Sequence, residues 1–302
     1  MGIAMIVAAA SCFAALDTTL RYLGAFIGVT VMLWLRYAMH TLVMTAWIAT
    51  SADKTFRTAN PRFQFLRGLL LLFSSTMAFN ALRHMPVAEF TAIVMITPLL
   101  VTLLARVWLK EPVSMPRWLL VAGGFAGALI VIRPGSGLFG WAVLLPFAAA
   151  LSNAFFQILT SKLAPRENPF TTNFYTGLTG VVLATPVLLA TSQHVVGTLG
   201  AAPPLHWLLL LGIGVFGTGG HLLLIMALGK APTATLMPFL YTQIAVAALA
   251  GWLALGAAPD TWGWAGMAVI GVCGAASAWM NVRGAAANQR PVSAVAADTV
   301  AD

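Results

Sequence analysis

Ala81-Leu82-Arg83-His84-Met85-Pro86-Val87-Ala88 recurs as Ala227-Leu228-Gly229-Lys230-Ala231-Pro232-Thr233-Ala234, 146 positions further along the chain. The same offset carries Trp118 onto Trp264. Alanine and leucine matches say little in so apolar a sequence, so the proline and tryptophan matches hold the weight. An offset near half of the 302 residues reads as two copies of one unit fused head to tail. In a membrane chain, such a duplication points to transport.

Composition puts the chain in a bilayer. It is 60% hydrophobic and 8% charged, with a mean hydropathy of +0.90. A soluble domain carries roughly 25% charged residues. The 24 charged side chains here cannot cover a globule of this size. The net charge of +8 reads as lysines and arginines beside a membrane rather than as a nucleic-acid surface. Cys12 and Cys273 lie in apolar runs and behave as small hydrophobes, with no disulfide, metal or cofactor implied. The first apolar run begins at Gly2 with no basic segment before it, so it reads as a retained span rather than a cleaved signal.

About 20 apolar residues cross the hydrocarbon layer. Ten stretches qualify, near 3–21, 28–50, 64–83, 87–108, 116–133, 139–160, 170–190, 206–228, 233–255 and 262–282. With a cytoplasmic N-terminus, Lys54, Arg57, Arg62, Arg67, Arg106, Lys110, Arg117, Lys162, Arg166, Lys230, Arg283 and Arg290 fall inside. Arg21, Arg83 and Arg133 fall outside, and Arg36 falls within a span. That asymmetry predicts both termini inside. Five spans per copy is an odd number, so the second copy enters the membrane upside down. The expected fold is therefore all-α integral membrane, with ten transmembrane helices in two inverted five-helix repeats. The boundaries are 1–135 and 136–283, followed by a disordered cytoplasmic tail over 284–302.

Several segments carry a family resemblance: Arg67-Gly68-Leu69-Leu70, Pro86-Val87-Ala88-Glu89, Ile96-Thr97-Pro98-Leu99, Trp108-Leu109-Lys110-Glu111-Pro112 and Ile132-Arg133-Pro134-Gly135. Together they resemble the EamA family of the drug/metabolite transporter superfamily. The second repeat matches more loosely, with Gly256-Ala257-Ala258 at the place of Glu111. The resemblance implies inverted repeats about a central cavity. It also implies a small organic substrate such as an amino acid, nucleoside, vitamin or cationic drug. The expected location is a bacterial inner membrane, multi-pass, as a monomer or homodimer.

Polar residues inside the spans need a reason, since a mid-helix charge costs about 2.5–3.5 kcal/mol or more. Arg36 lies roughly 12 Å deep at 1.5 Å per residue. It reads either as a holder of an anionic group or as a buried structural cation. Asp17 reads either as a partner of Arg21 or Arg36 or as a proton-coupling carboxylate. Glu89 reads either as charge at a helix N-terminus or as a second coupling carboxylate. Helical spacing and the repeat offset add Asn80, Thr97, Asn153, Gln157, His221, Tyr241 and Gln243 as candidate substrate contacts, with interhelical hydrogen bonding as the plain alternative. Pro98, Pro146, Pro186 and Pro238 interrupt helices and free backbone carbonyls.

Gly212-Ile213-Gly214-Val215-Phe216-Gly217 fits a dinucleotide fingerprint but lies inside an apolar span with no acid following until Asp260. It reads as close helix packing. No Walker-type loop is present, so a solute gradient or protons supply the energy. The expected function is secondary active transport of a small metabolite by alternating access, not enzymatic. The alternatives are an integral-membrane enzyme, for which the scattered histidines are unsuited, and a non-transporting assembly subunit.

Overall fold

The computed structural model describes residues 1–51, 55–84, 87–132, 140–190, 200, 202–255 and 261–288, with backbone alone at 87–89, 92, 128, 131, 132, 140, 254, 255, 278 and 281–288. The helices are α1 (Gly2–Leu23), α2 (Val29–Ala49), α3 (Pro61–His84), α4 (Val87–Val94), α5 (Thr97–Trp108), α6 (Met115–Ile132), α7 (Leu144–Leu163), α8 (Pro169–Ala190), α9 (Pro204–Leu228), α10 (Thr233–Leu240), α11 (Thr242–Leu255) and α12 (Thr261–Asn288). No strand occurs among the described residues. Six stretches there are long and apolar enough to cross a membrane: Gly2–Leu23, Pro61–His84, Trp141–Leu163, Pro169–Ala190, Pro204–Leu228 and Thr233–Leu253. The helix Thr97–Trp108 is apolar but shorter.

The burial pattern is that of a protein solvated by lipid. Leu253 is 82% exposed and Leu42 69%, while Arg67 and His40 are fully buried. Many hydroxyls within the helices are satisfied by their own turns. Ser11 donates to the Val7 carbonyl at 3.0 Å, and Thr19 to that of Ala15 at 2.8 Å. Such back-bonding removes a polar group from a medium that offers no water.

The main helix pairs are α1 with α9, α3 with α7, α2 with α8, and α6 with α12. Absent side chains set the closest of these. A Cβ on Gly180 of α8 would lie 2.3 Å from the Tyr37 ring of α2. On α9, a Cβ on Gly217 would lie 2.9 Å from Arg36 Nε, and Gly214 and Gly220 face Met39 and Phe13 just as closely. The glycine motif of α9 thus serves helix packing.

Two long segments are broken at equivalent places. α4 stops at Val94 and α5 starts at Thr97; α10 stops at Leu240 and α11 starts at Thr242. Met95 and Tyr241, in the two gaps, are 146 residues apart. Pro98 lies just inside α5 and Pro238 inside α10. The other two prolines expected to interrupt helices do not. Pro146 occupies the first turn of α7, where its missing N–H has no intrahelical partner to lose. Pro186 lies in the last turns of α8, which runs on to Ala190. α12 extends to Asn288, past the expected boundary at 283, while 289–302 lie outside the described residues.

Candidate functional site

α1, α2, α3, α7 and α9 meet the two helix breaks around one small cavity of about 100 Å³. Its polar lining is Asp17, Arg36, Ser74, Ser75, Thr97, Asn153, Gln157, His221 and Gln243, and Phe13, Phe79 and Phe90 supply aromatic faces. Seven of the ten predicted site residues are therefore gathered in one place. The positions pair across the duplication. The 146-residue offset relates Ser75 to His221, Val94 to Leu240 and Thr97 to Gln243, and an offset of 140 relates Phe13 to Asn153 and Asp17 to Gln157.

Arg36 is held from several sides. Its guanidinium donates to Ser75 Oγ at 2.7 Å and lies 5.2 Å from the Tyr37 ring centroid and 5.8 Å from that of Phe79. Tyr37 Oη shares the same Ser75 hydroxyl at 3.0 Å. Gly217 leaves room for the side chain to pass along α9. The Nε of Arg36 is buried with no hydrogen-bond partner, as is Oε1 of Gln157. A buried polar atom left unmatched costs about 1–3 kcal/mol.

Asp17 pairs with neither arginine considered from the sequence. Its Oδ2 accepts from Gln243 Nε2 at 2.9 Å, while Arg21 donates to the Leu82 carbonyl at 2.8 Å. His221 Nδ1 lies 2.8 Å from the Gly217 carbonyl, and its ring meets Phe13 edge-on at 4.8 Å. Thr97 lies against the Ala150 carbonyl at 3.5 Å.

Two predicted residues are placed elsewhere, and the side chain of a third falls outside the described residues. Asn80 Nδ2 donates to the Thr76 carbonyl of its own helix at 2.8 Å and does not line the cavity. Tyr241 is fully buried with its ring over Gly124 of α6, where a Cβ would approach to 2.5 Å. The side chain of Glu89 lies outside the described residues.

Sequence reasoning missed Ser75, although the 146-residue offset from His221 pointed to it. It also read Arg67 as an inner-rim charge. The structure buries that side chain completely, bonded to Thr160 Oγ1 at 3.1 Å, to the Thr172 carbonyl and to Thr176, with its guanidinium 4.9 Å from the Phe156 centroid. Only the fold reveals that α3, α7 and α8 meet there. A second cavity of about 540 Å³ opens at the end of the bundle where α1 turns into α2. It is lined by Arg21, Tyr22, Phe26, Leu82 and Arg83. Phe79 belongs to the walls of both cavities.

A bundle of apolar, membrane-length helices around a cavity lined in part by polar side chains is the architecture of a membrane transporter. Residues 1–133 and 140–279 match the model of the EamA-like transporter family, and the chain belongs to that family. It is a small-metabolite transporter and not an enzyme. It is 29% identical over 264 residues to a riboflavin transporter of Vibrio cholerae, covering 85% of this chain and 86% of the relative. It is 26% identical to an S-adenosylmethionine uptake transporter of Rickettsia conorii, covering 81% of each. A solved crystal structure 19% identical in sequence superposes with a TM-score of 0.71 over 91% of this chain and 97% of the other, a likeness of fold.

Proposed function

We propose that the chain is a secondary active transporter working by alternating access, and that its solute is a planar heteroaromatic metabolite, with riboflavin as the first to test. The observation that carries this reading is the central cavity itself, where aromatic faces from Phe13, Phe79 and Phe90 surround Arg36, Asn153 and Gln157. Riboflavin and S-adenosylmethionine, named for the two relatives, both present a flat heterocycle with polar edges. A ligand pocket commonly measures about 300–1,000 Å³, so a cavity of this size must widen to admit either one.

The proposed frame is ten membrane crossings in two inverted repeats, over 1–135 and 136–283, in a bacterial inner membrane with both termini cytoplasmic. The helix pairs support it. Exchanging the two repeats turns α1 with α9 into α7 with α3, and leaves α2 with α8 and α6 with α12 unchanged. The two family matches, one per half, support it as well. Asp17 and Glu89 are the proposed coupling carboxylates for protons.

Counterflow tests the reading. Proteoliposomes loaded with unlabelled riboflavin should accumulate labelled riboflavin transiently, and excess S-adenosylmethionine reports whether the site tolerates a second heterocycle. Absence of counterflow for riboflavin, S-adenosylmethionine and a nucleoside panel would sink the heteroaromatic assignment.

A further inference from the structure

α10 begins with no cap of its own. Its N-cap is Pro232, which has no side-chain acceptor for the first free N–H groups of the helix. A residue more than a hundred positions away fills that role. Glu111 Oε1 accepts from Thr233 N at 3.0 Å, and Oε2 accepts from Ala234 N at 3.0 Å. Both carboxylate oxygens are thus spent on one helix terminus, where backbone dipoles favour negative charge. Thr233 is tied a second time, to Ser161 of α7, with its hydroxyl 2.7 Å from the Ser161 Oγ.

The backbone before Glu111 is bent to make this reach. Lys110 has φ 55°, the one non-glycine residue in the left-handed region among the described residues. The Leu109 and Glu111 amides both return to the Ala105 carbonyl, at 3.1 and 3.2 Å, so the turn closes tightly after α5. A lysine in that conformation is held by its surroundings, and such strain collects at switch regions. The helix that Glu111 grips matters to the site. All eight side chains of α10 are buried, and its last residue, Leu240, lines the central cavity together with Gln243 just past the break. The cap sits at the end of the bundle opposite the second cavity. The repeat partner of Glu111 is Ala257, so the sequence supplies no carboxylate at the corresponding place for α4.

We infer that Glu111 is a positioning residue for transport: its carboxylate latches the N-terminus of α10 across the two repeats and keeps the cavity closed at that end, so the latch must release for solute to pass there. This rests on the transport reading above.

Site-selective labelling tests it without any solute. In a background with Cys12→Ala and Cys273→Ala, Leu224→Cys reports the latched side of the cavity and Leu20→Cys reports the second cavity. Purified protein in lipid nanodiscs is labelled with a polar maleimide. Glu111→Ala should speed labelling at 224 by at least about fivefold, the factor expected for loss of a helix cap, and slow it at 20. Glu111→Gln keeps one acceptor and should fall between. It carries the test if the alanine variant does not fold, and Glu111→Asp should restore the wild-type ratio in part. A structural cap alone would lower Tm without moving the ratio of the two rates. Unchanged rates, or rates rising together at both positions, would overturn the latch. Counterflow by the wild-type protein is scored separately, so the latch can fail while transport stands.

Discussion

The broken helix pairs α4/α5 and α10/α11 part at the same register by different means. In the first, Pro98 follows the gap and prevents α5 from joining the turn before it. In the second, Pro238 precedes the gap, and the helix is clamped at its start by Glu111. Both breaks deliver a polar residue to the same cavity, Thr97 from one and Gln243 from the other. The geometry of the break is therefore what both copies preserve, and the chemistry that secures it differs. One copy is pinned from outside itself.

The largest break in the comparison is at Arg36. The corresponding place on α8, 140 residues on, is Thr176, so the buried cation belongs to one repeat alone. Arg36→Leu should lower counterflow by about 10–100-fold, the worth of a charge-assisted hydrogen bond to a guest, with the Tm nearly kept. Uptake at the wild-type rate would show that Arg36 is only structural. The next effect is on the joint between the repeats. Gly180→Ala forces a methyl into the Tyr37 ring, and overpacking of this kind costs about 1–3 kcal/mol. Thermal unfolding in detergent should show a clear fall in Tm, and an unchanged Tm would mean α2 and α8 can move apart freely. The smallest effect on folding is expected from Asp17→Asn, which makes the first copy resemble the second, where Gln157 stands. An amide oxygen still accepts from Gln243, so stability should change by less than about 0.5 kcal/mol. If Asp17 carries the proton, pH-driven uptake should be lost while counterflow at equal pH survives. Retention of the pH response would remove Asp17 from coupling.

Much of the site was legible because polar residues are scarce in these helices and each one stands out. Asp17, Arg36, Thr97, Asn153, Gln157, His221 and Gln243 were all found that way, and all line the cavity. Asn80 and Tyr241 stood out equally and were placed elsewhere. Periodicity tells which face of a helix a residue occupies, but not which neighbour covers that face. Glu111 was recognised as part of a motif yet carried no role in the sequence. Its partner amides lie 122 and 123 residues away, and backbone N–H groups leave no trace in a residue pattern.

By itself, the sequence determined the solvent and the family. Those follow from composition and from a repeated pattern of proline and tryptophan, which survive without any knowledge of contacts. Only the tertiary structure decided which charges are spent on the scaffold and which face the cavity. Arg67 and Arg36 are both buried arginines. One is consumed by carbonyl and hydroxyl oxygens where α3, α7 and α8 meet, and the other lines the central cavity and keeps an unmatched Nε. The physical reason is that in lipid a polar group can draw its partner only from inside the protein, and the identity of that partner is a property of packing.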